Sequence, residues 1–396
     1  MTTNKLAAQL AIGVATLLAD MPLHAGLIGE GAELSAIYTG EILRNQRGGL
    51  NAGSAYLDNF DLTLDIDAEQ WLGWQGGRWF AYALYNNGAA FSGEHVGDAQ
   101  GASNIETVRA WRLYELWYEQ SLGDGRASVR AGLYDLNAEF YATDSSSLFM
   151  HPAHGIGTDF AQSGEMGPSI FSITGLALRF HHDASEQWSW RAVLLDGVPG
   201  DPEHPQRTVV NLRGEEGLLA VAELDFHPGN YRLGVGGWRY SRPQPLLVAE
   251  NAAVTADEEN GAISWGSYGF SEFALSTGSL DVASVRGFLR AGVAEDSVNR
   301  FADFIGVGIV VDGSLWGRAE DDFGVALARA RNGSRYRSTV AIDASETETA
   351  IEVSYRLALH ERVTLQPDIQ YIIDPDTNPQ LDNAWVLGVR AELALY

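Results

Sequence analysis

Between Asn59 and Asp67 the chain alternates strictly. Phe60, Leu62, Leu64 and Ile66 are apolar, and Asn59, Asp61, Thr63, Asp65 and Asp67 are polar. A strand points successive side chains to opposite faces, so this segment predicts a strand with one greasy face and one carboxylate-bearing face. The pattern returns near the end of the chain. Ile351, Val353, Tyr355, Leu357 and Leu359 alternate with Glu352, Ser354 and Arg356. Val363, Leu365, Pro367, Ile369, Tyr371 and Ile373 alternate with Thr364, Gln366, Asp368 and Gln370, and the row from Trp385 through Leu387 and Val389 to Leu395 alternates with Gly388, Arg390 and Glu392. Several such runs are about ten residues long, the length a tilted strand needs to cross a bilayer. Leu122-Gly123-Asp124-Gly125 predicts a tight turn and Asn332-Gly333 a second. Irregular stretches at Ala142–Pro168, Pro199–Glu216 and Pro243–Gly261 predict long loops.

Together these features predict an all-β chain: a transmembrane antiparallel β-barrel of about 16 strands, with long external loops and short periplasmic turns. A soluble β-sandwich or β-helix would also alternate. Its outer face would be rich in Lys and Thr, whereas here Asp, Glu, Arg and Gln oppose continuous apolar rows.

The first residues stand apart from this pattern. Met1–Lys5 is a short polar start, Leu6–Ala19 is apolar, and Ala25 closes the segment. That order predicts a secretory signal peptide, residues 1–25, removed after Ala25. The remaining 26–396 is expected to be one barrel domain in the outer membrane of a Gram-negative cell. The apolar run is too short for a spanning helix, which needs about 20 residues. The chain has no Cys, which excludes disulfides, thiol chemistry and cysteine metal sites. Its net charge of -26 excludes nucleic acid as a partner. Gly (44) and aromatic residues are abundant and Pro (12) is sparse, as barrel walls and interface girdles require.

Several segments in order carry a family resemblance: RLYELWYEQ at 112–120, SVRAGLYDLNAEF at 128–140, GIGTDFAQSGEMGPSIF at 155–171, DGVPGDP at 196–202, VNRFADFIGVGIV at 298–310, GRAEDDFGVALARAR at 317–331 and TLQPDIQYIIDPDTNP at 364–379. Their succession resembles the carbohydrate-selective porin family, the OprB-like outer-membrane porins. The resemblance implies external loops folded into the lumen and energy-free diffusion of monosaccharides such as glucose, and of polyols. It implies sugars in transit, outer-membrane lipid and lipopolysaccharide, and the barrel assembly machinery as partners, with the barrel a monomer or a trimer. Outer-membrane barrels usually end in an aromatic residue in phase with the lipid-facing row. Here Leu395 is in phase and Tyr396 lies one beyond it.

Strand phase selects the lumen candidates. Ala127, Val129, Ala131 and Leu133 are taken to face lipid, which points Ser128, Arg130 and Tyr134 inward. The same reasoning turns Arg179, Arg191, Arg286, Arg290, Glu223 and Asp225 inward, because an Arg facing lipid near midplane costs about 2–4 kcal/mol. Arg130, Arg179 and Arg191, with Asp135, Glu139 and Asp144 after them, are the expected constriction. Arg offers a fork of donors to sugar hydroxyls and carboxylates accept from them. The alternative is a charge lattice that braces the wall. Strand 109–120 fits two phases. We take Tyr114, Leu116 and Tyr118 to face lipid, which puts Trp117 inside as a sugar platform; the alternative is an interface girdle.

No G-x-S-x-G or H-E-x-x-H occurs, so no enzyme, cofactor or metal site is expected. His151 and His154, with Asp159 nearby, are read as solvated loop residues rather than ligands. A general or cation-preferring diffusion pore is the second reading, and a barrel enzyme or adhesin the third.

Overall fold

The computed structural model describes residues 26–29, 31–210, 216–249, 255, 258, 260–276 and 283–395. The expected leader and Tyr396 lie outside the described residues, as do parts of the loops at 199–216 and 243–261.

A short β1 (Gly26–Gly29) folds back on β2 (Ala32–Arg47). There follow β3 (Gly53–Asp67), β4 (Gly77–Asn86), β5 (Ala110–Leu122), β6 (Ala127–Tyr134), β7 (Gly175–Asp183) and β8 (Trp188–Asp196). Next come β9 (Leu218–Phe226), β10 (Tyr231–Gln244), β11 (Ala262–Ser276), β12 (Ala283–Ala294) and β13 (Phe301–Asp312). The last are β14 (Asp322–Asn332), β15 (Thr347–His360), β16 (Val363–Ile373) and β17 (Ala384–Ala394). Each pairs antiparallel with the next, and β17 pairs with β2 from Ala394↔Ile37 to Trp385↔Arg47. The ring β2–β17 is therefore a closed barrel of 16 strands, which leaves no free edge.

Alternation maps onto the two faces. Ile369, Leu387 and Val389 are exposed on the outside, while Gln366, Asp368, Gln370 and Arg390 are buried inside. An apolar outer belt of this extent is stable against lipid, not water. Trp71, Trp74 and Trp79 mark the short-turn end of the belt. Tyr371 and Trp385, with ring centres 4.7 Å apart, mark the other. Short turns occupy one end, at 123–126, 184–187, 227–230 and 361–362. The opposite end carries longer connections, among them 87–109, 135–174 and 197–217. Asn332-Gly333 is not a tight hairpin: 333–346 separates its strands and contains a helical turn at Tyr336–Val340.

Strand β5 breaks the single-phase expectation. Tyr82 pairs with Glu115 and Ala83 with Leu113, so Tyr114 is an extra, bulged residue. A bulge shifts the side-chain phase by one. Before it Trp111 and Leu113 are exposed and Arg112 and Tyr114 are buried; after it Leu116 is exposed and Glu115 and Trp117 are buried. Tyr114 thus faces inward, not toward lipid.

Among the described residues, loops 135–174 and 87–109 enter the lumen. Loop 135–174, longer than the sequence pattern indicates, lies against β10–β14, where small residues leave room for it. Gly234 and Gly236 face inward beneath the rings of Phe270 and Tyr268, and a Cβ there would sit 2.1 Å and 2.3 Å from those rings. Phe160 stacks on Trp238 at 4.8 Å, and Tyr141 on Tyr268 at 4.1 Å. Leu148 and Phe149 pack with Phe288, Val310 and Ala326. Loop 87–109 seats Phe91 and Val96 among Leu43, Leu57, Ile372 and Val386. Apolar packing around Phe160 and Phe149 fills much of the β10–β14 side of the lumen, and polar space remains on the side of β2–β5 and β17.

Candidate pore constriction

Inward strand carboxylates hold the loops. Glu223 accepts the backbone N–H of Tyr141 at 2.7 Å, and Glu272 that of Ser145 at 2.7 Å. Glu352 accepts from Met150 at 2.6 Å and His151 at 3.1 Å. Glu348 accepts from Ala99 at 2.8 Å and Gln100 at 2.9 Å. Each gives a buried wall carboxyl to a loop amide that would otherwise lack a partner.

A second network joins the expected Arg residues. Arg179 donates to Glu119 at 2.6 Å, to Glu139 at 2.7 Å and to Ser128 at 2.7 Å. Arg130 lies 3.0 Å from Glu119 and 3.3 Å from Glu139. Arg191 pairs with Asp225 at 2.7 Å and donates to the Glu139 carbonyl. Burial alone would raise the Glu139 carboxyl, but Arg130 and Arg179 outweigh it and hold the group below its usual range. Trp117 is 5 % exposed; its ring stacks on Phe80 at 5.0 Å, and the Arg130 guanidinium lies over it at 3.8 Å. Asp135 caps the turn Leu136–Ala138 by accepting the Asn137 N–H at 2.8 Å. Asp144 is exposed and, among the described residues, enters no ion pair. The structure therefore gathers Arg130, Arg179, Arg191, Glu139 and Trp117 into one charge and aromatic lattice against β5–β9. Asp135 and Asp144 stand outside it.

The open space lies elsewhere. A cavity of about 480 Å³ is walled by Asn59, Asp61, Tyr82, Tyr114, Arg390 and Glu392 from the strands. Gln100, Asn104, Glu106, Asp135, Asn137 and Phe171 close it from the two loops. Its volume falls in the range of small-molecule sites, about 300–1,000 Å³. Asp61 accepts from Asn59 at 2.6 Å and from the Tyr82 hydroxyl at 2.6 Å. Burial pushes the Glu106 carboxyl up to about 7 and that of Asp135 up to about 6. Amides, carboxylates, hydroxyls and ring faces together suit a polyhydroxylated solute.

Of these lining residues only Asp135 was among the sequence candidates. Asp61, Arg390 and Glu392 were legible as inward-facing, but nothing in the sequence separates a wall residue beneath a loop from one beside an opening. Loop 87–109 gave no signal of its own.

His151 and His154 correct the reading of solvated loop residues: they are 1 % and 0 % exposed. Burial lowers His151 to about 3 and takes His154 well below its ordinary value. His154 Nε2 lies 3.6 Å from Glu352. Among the described residues no group of three or more His, Cys, Asp or Glu is placed to hold a metal ion.

A family model described as carbohydrate-selective porin, OprB family, matches residues 51–395. Porin B of Pseudomonas aeruginosa is 23% identical over 412 residues, covering 92% of this chain and 88% of its own length. The high-pH structure of Pseudomonas putida OprB superposes with a TM-score of 0.80 at 18% identity, over 96% of each chain. The low-pH structure of the same porin gives 0.57 at 16% identity, over 96% of this chain and 95% of that one. At these identities the structural likeness speaks for the fold.

Proposed function

Because this chain belongs to the carbohydrate-selective porins of the OprB family, and is thus an outer-membrane diffusion channel for sugars, we propose that the cavity between loops 87–109 and 135–174 is its selective gap. One observation carries this reading. Polar residues that the loops leave uncovered on β2–β5 and β17 converge on that cavity, while Phe160, Phe149 and their neighbours pack against the inner face of β10–β14. Asp61, Asn59, Asn104 and Asn137 would exchange hydrogen bonds with sugar hydroxyls, and Tyr82, Tyr114 and Phe171 would offer ring faces. Each contact is replaceable by water, so the sugar binds weakly and leaves. Arg130, Arg179 and Arg191 support this gap by fixing Glu139 and with it the start of loop 135–174.

Residues 1–25 act in this reading as the export leader, cleaved after Ala25. Outer-leaflet lipopolysaccharide is the surrounding lipid, and the barrel assembly machinery inserts the chain.

Purified protein in a planar bilayer should carry small ohmic currents that fall when glucose is added. An Asp61→Leu variant should lose most of that block. Currents indifferent to every sugar, with steady cation preference, would favour the general-pore reading instead.

A further inference from the structure

The cavity carries an unbalanced set of charges. Asp61, Glu106, Asp135 and Glu392 line it, and among the described residues Arg390 is the one cation that does. The Arg390 charge is already neutralised. Its guanidinium donates to Glu41 at 2.8 Å and 3.2 Å and to Asn104 at 2.6 Å, and Glu41 is fully buried. The four lining carboxylates, by contrast, are held by neutral donors. Asp61 takes Asn59 and Tyr82, Glu106 takes the Ser92 N–H at 3.0 Å, Asp135 takes the Asn137 N–H, and Glu392 takes Thr364 at 3.4 Å. None of the four forms an ion pair with a described residue. The Tyr114 hydroxyl, on a side chain 3 % exposed, adds a further neutral donor to Asp135.

We propose that this gap sorts sugars by charge, passing those with an ammonium group ahead of neutral ones and excluding those with a carboxylate. The inference rests on the reading of the cavity as the sugar gap. A carboxylate held only by neutral donors keeps its field, and walls of low dielectric focus that field along a narrow cleft. An ammonium replacing one hydroxyl supplies the missing countercharge and donates to Asp61 or Glu392. A carboxylate at the same position adds to the negative charge of Asp61 and Glu392, and no free cation among the described lining residues meets it. The Arg lattice on β6–β8 does not offset this, because Arg130 and Arg179 are already bound to Glu119 and Glu139.

The test uses the whole barrel in liposomes, with swelling rates measured for glucosamine, glucose and gluconate, and reversal potentials measured in a KCl gradient. Glucosamine should enter fastest and gluconate slowest, the two differing by about tenfold, the lower end of what focused fields produce. In Asp61→Asn/Glu392→Gln that ratio should fall toward one and the reversal potential should lose its cation preference. Glu392→Gln alone, whose contact to Thr364 is long, should move both in the same direction and guards against misfolding of the double variant. Equal glucosamine and gluconate rates, or a ratio unchanged in both variants, would overturn the charge assignment while leaving a sugar pore. A barrel that passes none of the three solutes would instead overturn the sugar gap, and the reversal potential would then decide the charge assignment by itself.

Discussion

Glu223 on the barrel wall accepts the backbone N–H of Tyr141 at 2.7 Å, and the same carboxylate oxygen accepts the Tyr268 hydroxyl at 2.8 Å. Tyr141 has φ 53, a left-handed conformation that costs a bulky residue energy unless its surroundings enforce it. Its ring lies flat on Tyr268. One wall carboxylate thus fixes both the backbone and the ring that turn loop 135–174 into the lumen. Glu223→Leu would leave the Tyr141 N–H buried without an acceptor, at a cost of about 1–3 kcal/mol. The expected result is a larger and noisier single-channel conductance, with a circular dichroism spectrum still that of a barrel.

The glycines beneath the rings should be as sensitive as the carboxylate. Gly236→Leu would drive a side chain into the space of Tyr268, since even a Cβ would sit 2.3 Å from its ring. Overpacking of this kind costs about 1–3 kcal/mol. Because Tyr268 carries Tyr141, we expect the thermal midpoint to fall and the loop to become open to protease. Gly237→Ala, whose Cβ would come no nearer than 3.4 Å to any neighbour, should leave both unchanged.

The loop packing should have a pH optimum. His151 is held down to about 3 in the folded loop against an ordinary 6.5, and His154 is lowered as well. The unseated loop takes up these protons first, so packing is fully favoured above 6.5 and weakens as pH falls through that value toward 3. Asp159, raised to about 7, and Asp98, raised to about 8, act in the opposite sense. Their contribution is full below their ordinary 3.8 and is lost as pH rises through 7 and 8. Open-channel noise should therefore be least at mildly acidic pH and grow toward both extremes. In His151→Leu/His154→Leu the acidic limb should flatten while the alkaline limb stays.

The Arg lattice makes a separate prediction. Arg179→Leu would strip Glu119 and Glu139 of their closest cation, leaving two carboxylates near Arg130 alone. Breaking a buried pair by removing one partner costs about 3–5 kcal/mol. Stability should fall by more than in Arg78→Leu, where Arg78 is about half exposed and its pairing with Asp65 is weakly stabilising. Differential scanning calorimetry in detergent would measure both.

How much of this was legible in the sequence depends on which contacts are local. Asn59 to Asp67, Ile351 to Leu359 and Trp385 to Leu395 display their faces by alternation alone, because one side meets lipid along the whole strand. Tyr114 could not be placed that way, since its bulge is defined by Tyr82 and Ala83 on another strand. Glu223, Arg130 and Arg179 could be read as inward, but their roles as loop anchors or lattice members depend on residues far along the chain. Asp61 illustrates the limit most clearly. Its orientation was plain, yet its position beside the opening is set by where Phe160 and Phe91 seat the two loops.

The native chain has no Cys, so a single introduced thiol reports on one position without background. Asp61→Cys, treated with a small charged thiol-reactive reagent in a planar bilayer, tests most directly whether solute passes beside β2–β5 and β17. We expect modification to block most of the current and glucose to slow it, while Ala328→Cys, buried beneath the inserted loop, stays unreactive. Full current after complete modification at Asp61→Cys, or rapid block at Ala328→Cys, would contradict the route.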